Sequence, residues 1–279
     1  MNQYRYKMLP FWIPTYILSW GCWFLSAYFS RQAGSGDTYT VWMALGLFAP
    51  ALIGLALVLA SKNAAMRRDY AGKLFDMKRI RPLSILWMIL AVLGSILVSI
   101  CISLLFGQST DQFAFTEGFS FSVGAVPTLF TLLLAAFVEE VAWRGYGFDS
   151  FTRKNNAFKA TCFFSIVWTL WHFPLFFITG SYQYEILQMN PWYAVNFFAS
   201  GIPITFLFTW LCIKNNRSVF ACFLFHFLLN FMQETINMTQ VTKCIETVVI
   251  ALVAAIIVLA DKNLFFQNPA PETFEATHN

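Results

Sequence analysis

Charge is what this sequence has least of. Only 11% of its 279 residues are Asp, Glu, Lys or Arg, under half of the roughly one quarter that a soluble domain carries. Histidine is scarcer still, with three in the whole chain. The six cysteines, Cys22, Cys101, Cys162, Cys212, Cys222 and Cys244, include no CxxC pair, which excludes a zinc-ribbon framework and reads as packing in a reduced or lipid setting. There is no internal repeat and no connection long enough for a soluble domain. The N-terminus superficially resembles a signal segment, but its apolar run from Met8 to about Ser30 is too long for one and lacks a clear small-x-small exit, so it is expected to be the first span.

Apolar residues fill the space that charge leaves. They make up 58% of the chain, the mean hydropathy is +0.60, and they come in blocks of about 20, the length that crosses a hydrocarbon core. The blocks predict an all-α polytopic transmembrane bundle of about eight spans, near 8–30, 39–60, 83–106, 124–143, 158–179, 193–213, 218–236 and 245–260. Residues 1–262 are expected to form one transmembrane domain. Residues 263–279, polar and proline-containing, are expected to be a disordered cytoplasmic tail.

Basic residues are distributed unevenly about these spans. Of the 18 Lys and Arg, an alternating assignment places all but Arg31 and Lys243 on one side. That is the positive-inside pattern, and it predicts both termini in the cytoplasm. The basic 61–82 connection reads as a topology determinant that can also touch anionic lipid. The expected location is an integral multi-pass membrane protein. The expected partners are the bilayer and a membrane-associated protein or peptide, with no nucleic acid.

Ionisable groups inside spans cost a few kcal/mol each and mark function. Most of the 14 acids fall in loops or at span ends. The clear exceptions are Glu139 and Glu140, in FVEEVAWRGYG. Glu140 and Arg144 stand i, i+4 with the acid on the N-terminal side, the better orientation for an ion pair. Adjacent helical residues point about 100° apart, so Glu139 is left to face something else. Two histidines also lie inside spans. His172 sits in WTLWHFP, with Trp168 one turn before it on the same face and Pro174 placed to kink the helix. His226 shares a face with Asn230 in HFLLN, a pair suited either to an oxyanion or to an interhelical polar clasp.

EEVAWR at 139–144, WTLWH at 168–172 and HFLLN at 226–230 resemble, in order, the EExxxR, FxxxH and HxxxN motifs of the CAAX-protease and bacteriocin-processing (Abi) family. The likeness spans about 125–235, with Trp168 standing where the family has Phe. It implies an intramembrane glutamic endopeptidase with an eight-helix core. Carried over, Glu139 and His172 would activate a water, His226 and Asn230 would hold the oxyanion, and Glu140, Arg144 and Trp168 would support them. It implies no metal cofactor, although two His and a Glu can bind zinc. Members trim prenylated CAAX tails, process peptides or confer bacteriocin immunity.

Two other functions fit some of these features. A non-proteolytic immunity or scaffold protein has no need of charged groups in lipid. A proton-coupled transporter would show paired broken-helix repeats, whereas the polar residues here gather in the second half of the chain. One geometric condition also stands. As drawn, Glu139 lies near the cytoplasmic end of span four, while His172 lies about 14 residues, roughly 21 Å, into span five. The two meet only if span five starts later, near Phe163, or span four runs past Gly145. Residues 147–160 are expected to hold an interfacial segment, and the site is expected to open towards the cytoplasm.

Overall fold

The computed structural model describes residues 6–34, 36–116, 128–152 and 155–267. Every expected span is met by a helix. They are α1 (Met8–Phe29), α2 (Thr38–Ala60), α4 (Pro82–Leu104), α5 (Thr128–Ala142), α7 (Ala157–Trp171), α9 (Pro191–Lys214), α10 (Val219–Thr235) and α11 (Gln240–Ala260). Between and after them lie the shorter α3 (Ala64–Phe75), α6 (Phe148–Thr152), α8 (Tyr182–Met189) and α12 (Lys262–Phe266). Among the described residues five segments are long and apolar enough to cross a membrane: α2, α4, α9, α11, and α7 with its extension to Phe177; α10 is apolar but shorter. The first part of span four, 124–127, lies outside the described residues.

The packing is that of a protein in lipid. Large apolar side chains point outward in helical stripes, such as Leu45, Leu52 and Leu59 on α2 and Val248, Leu252, Ile256 and Leu259 on α11, all more than 45% exposed. Interfaces instead use small or hydrogen-bonding residues, which let helices approach where water supplies no drive. Ser95, Ser99 and Ser103 line the buried face of α4 against α11. The aromatic stripe Trp12, Tyr16, Trp20 and Trp23 of α1 donates to Ser150, to the carbonyl oxygens of Val167 and Trp171, and to that of Met43.

The fold differs from the sequence expectations at two places. Span four does not end at 143: helix continues from α5 through a π turn (Trp143–Gly147) into α6, which ends at Thr152, and α7 starts at Ala157. The tail is ordered further than expected, since Leu264 and Phe265 of α12 are buried and Phe266 stacks on Phe158 at 4.9 Å; its last part, 268–279, lies outside the described residues. The basic 61–82 connection contains α3, which packs against α10 and the π turn.

Candidate active site

The continuation of α5 is what brings the site together. Glu139 stands 13 residues before Thr152, and His172 is 15 residues after Ala157. The two arms of the hairpin are therefore nearly equal, each about 20 Å at 1.5 Å per residue. Oε2 of Glu139 and Nε2 of His172 lie 3.9 Å apart. Of the two conditions for a meeting, it is the lengthened span four that holds.

Pro174 sets the direction of His172. Lacking an amide hydrogen, proline cannot continue an α-helix, and α7 ends at Trp171 before a 3₁₀ turn over Phe173–Phe177. The amide of His172 turns to Thr169 at 3.2 Å, which leaves the Trp168 carbonyl without an α-helical partner. Nδ1 of His172 takes that carbonyl at 3.1 Å. A carbonyl only accepts, so Nδ1 carries the proton and Nε2 faces Glu139.

The two acids divide as the helical spacing predicts. Oε1 of Glu140 accepts from Arg144 at 2.9 Å and lies 2.8 Å from Nδ1 of His226. Its residue is wholly buried. Glu139 faces away, with Oε2 accepting from the indole nitrogens of Trp143 at 3.2 Å and Trp168 at 3.3 Å. Trp168 stands between the histidines, edge-on to His172 at 5.8 Å and to His226 at 6.2 Å. The Arg144 guanidinium lies over the rings of Phe208, Trp168 and Phe164 at 4.1, 5.0 and 5.1 Å. Glu140 Oε2 and Arg144 Nη2 are buried without a hydrogen-bond partner among the described residues.

The predicted residues thus fall into two couples, Glu139 with His172 and Glu140 with His226, joined through Trp168. Asn230 is one turn beyond His226 on α10, half-buried, and makes no side-chain hydrogen bond among the described residues. Among those residues no three His, Cys, Asp or Glu side chains are grouped as a metal centre requires. Glu140 and the Trp168 carbonyl take the Nδ1 atoms of the two histidines, which leaves Nε2 as the ring nitrogen each presents to the site.

Three features escaped the sequence reading. Trp143 is a second indole donor to Glu139, and its i, i+4 spacing was there to be read. Glu246 was counted at a span end, but α11 begins at Gln240, so it lies inside the helix, 2% exposed, bonded to Ser95 at 3.2 Å and Gln233 at 2.9 Å. Lys73, taken as a topology charge, is fully buried. Its Nζ donates at 2.6 Å to both the Gly145 carbonyl in the π turn and Asp149. Arg217 bonds Asp69 and Asp149, and Tyr6 donates to Asp69 at 2.7 Å. Burial alone would push the Asp69 carboxyl up, but Lys73 and Arg217 outweigh it and hold the group down at about 2.

Helix runs on for 13 residues from Glu139 to Thr152, about 20 Å. Asn230 lies only five residues from the C-terminal end of α10, about 8 Å. There a groove of about 290 Å³ opens among α8, the end of α10 and the start of α11, with Gln233, Tyr182 and Lys243 on its walls.

Two comparisons with known proteins find relatives of the chain. Residues 120–232 match the family model described as type II CAAX prenyl endopeptidase Rce1-like. The chain is 44% identical over 267 residues to CAAX prenyl protease 2 of Methanococcus maripaludis, covering 96% of this chain and 98% of that protein. The chain belongs to the CAAX prenyl endopeptidase family. It is accordingly a peptidase and an integral, multi-pass membrane protein.

Proposed function

We propose that this CAAX-type endopeptidase hydrolyses a peptide bond near the lipid-carrying cysteine of a membrane-associated substrate, using water activated by Glu139 and His172. The observation that carries the reading is the 3.9 Å separation of Glu139 Oε2 and His172 Nε2, with His172 pinned through Nδ1. That gap is too long for a direct hydrogen bond and suits one water at about 3 Å from each group. The water oxygen bonds to the scissile carbonyl carbon while its proton passes to the Glu139–His172 couple. The C–N bond then breaks, and the couple returns the proton to the leaving amine.

The second couple supplies the positive side of the reaction. Glu140 takes the Nδ1 proton of His226, so a second proton on Nε2 makes His226 an imidazolium donor to the oxyanion. Asn230, on the same face of α10, adds an amide donor. Arg144 balances Glu140 and is itself held on three aromatic faces.

The test uses the purified full chain in lipid nanodiscs, with a prenylated peptide ending in a CAAX sequence. Cleavage by wild type that falls at least about 10³-fold in Glu139→Gln supports the reading. Absence of cleavage by wild type overturns it. Equal turnover of the same peptide without its lipid would move the substrate class towards unlipidated leaders.

A further inference from the structure

The groove beside the site has a chemistry of its own. At 100° per residue, His226, Asn230 and Gln233 fall within about 60° of one another on α10. The face that carries the oxyanion groups therefore runs on into the groove, where Gln233 is a lining residue. The opposite wall is continuous too: His172 meets Phe197 at 5.5 Å, Phe197 meets Phe176 at 5.5 Å, and Phe176 packs with Ile186, which lines the groove. Gln233 lies seven residues beyond His226, about 10 Å along the helix. Three extended peptide residues cover the same distance.

We propose that this groove binds the three residues that follow the scissile bond, and that Lys243 receives their terminal α-carboxylate. This rests on the CAAX-type reading, in which a chain cut after its cysteine ends three residues later. The volume, about 290 Å³, is at the small end of ligand pockets. Ile186, Met189, Ile236 and Met238 offer apolar contacts for aliphatic side chains.

Charge selects the end of the chain. Lys243 is the one basic residue among the groove's described lining. It is half-buried, with Nζ 4.9 Å from the centre of the Tyr182 ring and 3.5 Å from the Tyr182 hydroxyl, and it forms no salt bridge among the described residues. The other ionisable groups nearby are acids. Glu185 and Glu234 line the groove, and Glu246 lies one turn after Lys243, holding Gln233 in place. Acidic side chains in this stretch of substrate are repelled, whereas the terminal carboxylate has one cation to meet.

The experiment compares two prenylated CAAX peptides, one with a free C-terminal carboxylate and one amidated, cleaved by the full-length protein in nanodiscs. Wild type is expected to show a KM at least about tenfold lower for the acid, a modest value for one charged hydrogen bond. Lys243→Gln brings the acid-to-amide ratio to about one, and Lys243→Arg restores most of it; equal thermal stability of the variants shows that the fold is kept. Equal KM for both peptides in wild type, or a ratio that survives in Lys243→Gln, overturns the groove assignment while leaving the protease intact. No cleavage of either peptide by wild type sinks the protease reading and this inference with it.

Discussion

His172 and the carbonyl oxygen of Trp168 lie 3.1 Å apart, one helical turn from each other on the same strand of chain. That contact exists because Pro174 ends α7 before the carbonyl is used. Replacing Pro174 with alanine lets the helix continue and returns the carbonyl to the His172 amide. The imidazole then loses its orienting acceptor. Pro174→Ala should lower kcat by roughly 10–100-fold, the scale seen when a supporting partner of a functional histidine is removed, with KM little changed. An unaltered kcat would show that the proline serves only to bend the chain.

The two acids should fail in different ways. Glu139→Gln removes a base that touches only indole donors and His172, so activity disappears while Tm holds. Glu140→Gln leaves Arg144 and His226 buried without their counter-charge, which costs roughly 3 kcal/mol and shows as a fall in Tm. A larger loss of Tm for Glu139→Gln than for Glu140→Gln would reverse this assignment.

Trp168 supplies an indole donor to Glu139. Because Trp143 donates to the same oxygen, either Trp→Phe change alone should cost less than about tenfold in kcat. The double variant should cost more than the product of the two, since the groups share one acceptor. Strict additivity in the kinetics would mean that the two indoles act independently of one another.

Much of this was legible in the sequence, for identifiable reasons. Burying charge in an apolar span is costly, so Glu139, Glu140, His172 and His226 stood out against their surroundings, and the i, i+4 rule assigned Arg144 to Glu140. The Pro174 break was legible because proline lacks a donor. The length of span four was not. The span was drawn to end at 143, yet helix runs on and Gly145 and Gly147 serve close packing: a Cβ at Gly145 would lie 3.0 Å from Tyr70, and one at Gly147 3.0 Å from Phe11. Lys73 was misread because its partners, Asp149 and the Gly145 carbonyl, are more than 70 residues away. Glu246 was misplaced because Thr242 and Lys243 made the start of α11 look like loop.

The Lys73–Asp69–Arg217–Asp149 cluster predicts an acid limit to stability. Asp69 has a folded value near 2, below the ordinary carboxylate value. A depressed carboxylate stabilises the fold above its unfolded pKa and loses that contribution as pH falls through the folded one. Tm should therefore drop between about pH 4 and pH 2, and Asp69→Asn should lower Tm at neutral pH while flattening this limb. An acid limb of the same steepness in Asp69→Asn would place the sensitivity at another group.

Orientation can be tested at the two ends of the bundle. The basic cluster and the groove lie at opposite ends of α10, since Arg217 precedes its first turn and Gln233 sits in its last. A reporter fused within 61–82 and one fused within 180–190 should therefore give opposite signals. The charge count predicts that 61–82 is cytoplasmic, because the segment carries Lys62, Arg67, Arg68, Lys73, Lys78, Arg79 and Arg81 and Lys and Arg in short loops set orientation whether or not nearby acids pair with them. That orientation places the groove on the far side. The reverse result would overturn the charge-based assignment and put the groove on the side of a cytoplasmic lipid-anchored tail. Equal signals from both fusions would contradict the span count between them, because 61–82 and 180–190 are separated by α4, α5 and α7, three crossings, and an odd number of crossings must change sides.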